Sequence, residues 1–88
     1  MKNFVEKIDE NSNYIKVYRF IQERFAFNEI IDEMTVWHRY YSNTKDHLNG
    51  EFSAHYRRAI RSLLQEGKIR PCAADRWKES YIIQQPEK

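Results

Sequence analysis

Tyr56-Arg57-Arg58-Ala59-Ile60-Arg61-Ser62-Leu63-Leu64-Gln65-Glu66-Gly67-Lys68-Ile69 reads as a helix with a defined stop. Tyr56, Ala59, Ile60, Leu63 and Leu64 recur at three- and four-residue spacing, which is one apolar face of an α-helix. Ser53 stands where an N-cap belongs, and Phe52 before it can staple against the first turns. Gly67 follows the last apolar pair, at the position where a helix ends in a left-handed residue. After Gly67 the periodicity changes. Lys68-Ile69-Arg70 predicts a short extended segment closed by Pro71. Cys72-Ala73-Ala74-Asp75-Arg76 forms a small connection. Trp77, Tyr81 and Ile83 then share one strand face, with Lys78, Ser80 and Ile82 opposite.

Two further helices are expected upstream. Ser12 or Asn13 can cap a helix on which Tyr14, Val17, Tyr18, Ile21 and Phe25 share a face, broadened by Phe20. Asn28 can cap a second segment running to Tyr41, one helix or two pieces broken near Thr35, with Ile30, Ile31, Met34, Trp37 and Tyr41 at helical spacing. On that register Trp37 and Tyr41 face the core and Tyr40 is partly exposed. Ser42 to Gly50 is rich in turn formers and predicts a loop with a short turn held down by Leu48. No strand is evident ahead of the third helix.

The chain of 88 residues holds one domain, because two would need more sequence to bury two cores. Residues 1–12 read as a polar lead-in, 13–84 as the domain and 85–88 as a polar tail. Cys72 is the single cysteine, which excludes a disulfide scaffold and fits a reducing, cytoplasmic setting. No apolar run approaches the roughly 20 residues that span a bilayer, and the first residues lack the apolar stretch of a secretory signal, so no membrane partner is expected. Charge is unevenly placed. Residues 1–44 carry six bases and seven acids, whereas residues 45–88 carry nine bases and six acids. Any anion-binding surface therefore belongs to the second half.

The order helix, helix, loop, helix, Gly, short strand, turn, strand resembles the winged-helix branch of the helix-turn-helix superfamily. Leu63, Leu64, Gly67 and Ile69, followed by the return strand Tyr81-Ile82-Ile83, carry the resemblance. It implies a mainly α fold of three helices plus a small C-terminal β-hairpin, the wing. It also implies a recognition helix over about 53–66 that enters the major groove of double-stranded DNA. On that implication Ser53, His55, Arg57, Arg58 and Arg61 are the groove-facing set. Arg57 and Arg61 would reach bases or phosphates, Arg58 and Lys68 phosphates, and Arg76 and Lys78 would act from the wing. The function implied is a small transcriptional regulator, favoured as a dimer on a repeated site because one small module buries limited surface. The first helix and the Trp37–Tyr41 surface are the candidate seams.

Read from the residues alone, the three arginines also fit the solvated face of an amphipathic helix. The alternative function is a protein-protein interaction module, a use that winged-helix domains also have, or a small inhibitor that does not bind DNA. The uncharged Ala73-Ala74 at the wing tip and the run Trp37, Tyr40, Tyr41 fit it, since aromatic side chains are enriched at interface centres. Acidic partners beside the arginines would favour this alternative. Enzyme chemistry is not indicated. His38, His47 and His55 show no metal-ligand spacing, and Gly50 and Gly67 as the only glycines leave no phosphate loop. Neither a metal nor another cofactor is expected.

Overall fold

The computed structural model describes residues 13–72 and 79–85. Helix α1 (Asn13–Arg24) is followed by a two-residue strand β1 (Ile30–Ile31), helix α2 (Glu33–Thr44) and a single 3-10 turn (Leu48–Gly50). Helix α3 (Phe52–Gln65) leads into strands β2 (Ile69–Cys72) and β3 (Ser80–Ile83). The strands form one antiparallel sheet in the order β1-β3-β2, with Ile31 opposite Tyr81 and Ile69 opposite Ile83. Three helices and a small antiparallel hairpin make a winged helix-turn-helix-like architecture, as the sequence predicts.

The second predicted segment is corrected. It does not begin a helix at Asn28. Asn28 adopts a left-handed φ of 73°, and its N–H donates to the Ile83 carbonyl at 2.8 Å. The Ile83 N–H donates back to the Glu29 carbonyl at 3.0 Å. The backbone hydrogen bonds of this stretch therefore go to β3, and a first strand stands where none was expected. The helix cap falls to Asp32, whose carboxylate accepts from the Thr35 N–H at 2.9 Å. The later start turns α2 so that Val36 and Tyr40, one turn apart, face the core. Tyr40 is thus only 3% exposed, not at the surface, while Trp37 and Tyr41 are half-buried at the core's edge.

The core is built around rings. Phe25, Phe20, Tyr40, Phe52 and Tyr56 follow one another at centroid separations of 6.1, 5.2, 6.1 and 5.7 Å, linking all three helices. Such pairs add about 0.5–1.5 kcal/mol each beyond the area they bury. Val17, Ile21, Ile31, Val36 and Leu63 are fully buried beside them. Phe20 is central to α1, as expected, and Leu48 anchors its turn at 2% exposure.

Helix α3 begins at Phe52, with Glu51 as a cap that makes no side-chain bond. Ser53, expected as the cap, lies inside the helix. The stop is as read. Gly67 takes a φ of 73°, and the Lys68 N–H donates back to the Leu63 carbonyl at 2.9 Å. The strand after it continues through Pro71 to Cys72. Proline is tolerated there because β2 is an edge strand that need not donate on its outer side. On β3, Ile83 is buried and Tyr81 packs partly against the core, and Ser80 on the opposite face is also buried. The expectations for Ala73, Ala74, Asp75, Arg76, Trp77 and Lys78 lie outside the described residues.

Candidate nucleic-acid interface

Helix α3 packs most extensively on α1, and along one stripe it buries Phe52, Tyr56, Ala59, Ile60 and Leu63. At about 100° per residue, Arg61 projects opposite that stripe, and Arg57 and Arg58 lie on its two flanks. All three are exposed. The Arg58 guanidinium stacks on Tyr14 of α1, 4.1 Å from the ring centroid. Arg57 and Arg61 instead line an open cleft of about 660 Å³ on the other flank. Among the described residues, neither Arg57 nor Arg61 has an ion-pair or hydrogen-bond partner.

The facing side of that cleft is acidic. Asp32 and Glu33 at the start of α2, and Glu79 just ahead of β3, line it together with Met34 and Tyr81. Ile60 and Leu64 of α3 and the ring of Tyr56 complete its apolar surface. Ser53 is exposed, but its hydroxyl donates to the Glu33 carboxylate and ties the two helix starts together. The Tyr56 hydroxyl is buried without a hydrogen-bond partner among the described residues. Burial, and then the neighbouring Tyr81, Asp32, Glu33 and Glu79, push its ionisation far above the ordinary tyrosine range. Burial and Glu79 raise the Tyr81 hydroxyl in the same direction.

The remaining expected contacts are scattered. His55 is half-buried on the flank turned away from the cleft, and its Nε2 lies 3.8 Å from the Glu51 carboxylate, too far for a hydrogen bond. Lys68 is held at the C-terminal end of α3. Its ammonium donates to the Tyr18 hydroxyl at 3.3 Å and lies 3.6 Å from Glu66, to which Tyr18 itself donates. The bond to Tyr18, and then the charge of Glu66, raise the Lys68 pKa and keep it protonated. Arg76 and Lys78 lie outside the described residues.

Sequence reasoning located the arginines but not the carboxylates facing them. Glu33 and Arg57 are far apart in the chain, and only the contact between the start of α2 and α3 brings them to one cleft. Among the described residues no group of three or more His, Cys, Asp or Glu side chains could hold a metal ion. No described helix is long and apolar enough to cross a membrane. No protein-family model matches the chain, and no curated protein or solved structure is significantly similar to it.

Proposed function

We propose that this protein binds double-stranded DNA through the exposed face of α3, as a small winged-helix regulator. One observation carries the reading: Arg57 and Arg61 stand one turn apart on the solvent face of α3, exposed and unpaired among the described residues. An unpaired guanidinium keeps all its donors for phosphate oxygens or guanine edges. In this proposal Arg61 leads, Arg57 supports it, and Ser53 lies beside them. Arg58 and Lys68 contribute phosphate contacts only if they leave Tyr14 and Tyr18. Arg76 and Lys78 act from the wing.

The test is fluorescence anisotropy with mixed-sequence duplex DNA at two salt concentrations. Replacing Arg57 and Arg61 together by Ala should weaken binding on the order of 10- to 100-fold and lower the salt slope by about 2, as expected for two lost phosphate contacts. Binding absent at low salt, or unchanged in the double variant, refutes the proposal. A second reading, a protein-interaction module, is favoured by the carboxylates facing these arginines and by the exposure of Met34 and Leu64 in the same cleft. Its mark would be a protein partner lost on substitution of Met34 while DNA is ignored throughout.

A further inference from the structure

The α3 cleft presents opposite charges that do not satisfy one another. Arg57 and Arg61 line one side, Glu33 and Glu79 the other, yet neither arginine pairs with either acid. Exposed apolar surface lies between them. Met34 is 57% and Leu64 36% exposed, two of the four large hydrophobic side chains left this open among the described residues. Along α3 the cleft residues Arg57, Ile60 and Leu64 are spaced three and four apart, the spacing that lets one helix seam pack on another element.

We infer that this cleft seats a second copy of the same chain. A two-fold axis brings residue i of one copy to residue j of the other and the reverse. A surface with a basic side, an acidic side and an apolar middle is complementary to itself under that operation. Arg57 and Arg61 of each copy then meet Glu33 and Glu79 of the other, while Met34 and Leu64 are covered at the centre. A phosphate backbone suits this cleft less well, because the acidic side repels it. Dimerisation through α3 therefore hides the arginines, and DNA and the second copy compete for one face. The competition rests on the proposed DNA reading; the dimer does not.

Sedimentation equilibrium of the full chain without DNA tests the dimer. Wild type should show a monomer–dimer equilibrium that weakens with added salt. Arg57→Glu/Arg61→Glu makes both sides of the cleft acidic, and Glu33→Lys/Glu79→Lys makes both basic. Each variant alone should dimerise at least 10-fold more weakly, and an equimolar mixture should regain a dimer, since opposite charges again face each other. Circular dichroism checks that both variants are folded. If either is not, Met34→Lys, at an exposed side chain, should weaken the wild-type dimer by a similar factor. A monomeric wild type at millimolar concentration overturns the inference. So do variants that dimerise like wild type, a mixture of folded variants that stays monomeric, or a Met34→Lys protein that associates unchanged. DNA anisotropy above and below the dimer constant reads the competition separately. A dimer with no DNA binding at any concentration keeps the inference and removes only the DNA reading.

Discussion

At the scale of single residues, Asp46 organises the connection between α2 and α3. One carboxylate oxygen accepts from the Leu48 N–H at 2.9 Å, and the other accepts from the Tyr40 hydroxyl at 3.1 Å and lies 3.8 Å from Lys16. The Leu48 bond first, with Tyr40 and Lys16 behind it, holds the carboxyl below its ordinary range. Tyr40 responds in the opposite sense, pushed up to about 12 by burial and by the Asp46 charge. Because the folded state favours the ionised carboxylate, its contribution is complete above the unfolded value, about 3.9. It is lost as pH falls through the lower folded value. Asp46→Asn should therefore melt below wild type at pH 7 by on the order of 5 °C, since about 1 kcal/mol moves Tm by about 4–8 °C in a domain of this size. The gap should narrow as pH falls below about 4. Thermal melts of both proteins from pH 7 to pH 3 check this, and a gap independent of pH would remove the charge from the explanation.

At the scale of elements, the sequence was most legible where a local rule acts alone. The stop of α3 needs a residue at positive φ, Gly67 supplies it, and the helix ends there. Open space surrounds the position where a Cβ would stand. Gly67→Ala should then cost about 1 kcal/mol from backbone conformation alone, read by urea unfolding with an unchanged m-value. A much larger loss would mean that the glycine also serves packing. The start of α2 was illegible for the opposite reason. Asn28 and Asp32 both suit a cap, and Ile30-Ile31 suits a helix face or a strand. The choice depends on β3, which takes the hydrogen bonds of residues 28 and 29 from the far end of the chain. A two-residue strand has no period of its own to read. The same shift carried Tyr40 from the expected surface into the core, because one or two residues of helix register turn a side chain by about 100–200°.

At the scale of the whole molecule, three helices and three short strands share one core, so its fully buried side chains act on all of them. Leu63 has no exposed surface and lies between α1 and the sheet. Leu63→Ala should cost about 2–5 kcal/mol, a large part of the roughly 5–15 kcal/mol a small domain has. Urea unfolding measures it, and a loss under 1 kcal/mol would show that the site collapses freely. The sequence by itself determined the third helix, its glycine stop, the hairpin after it and the exposed arginines, because periodicity, capping and strand alternation act within a few residues. Only the tertiary structure decided the first strand, the register of α2, the stacking of Arg58 on Tyr14 and the acidic side of the cleft. Those depend on contacts between segments distant in the chain, and no local spacing encodes which carboxylate the fold will bring to face which arginine.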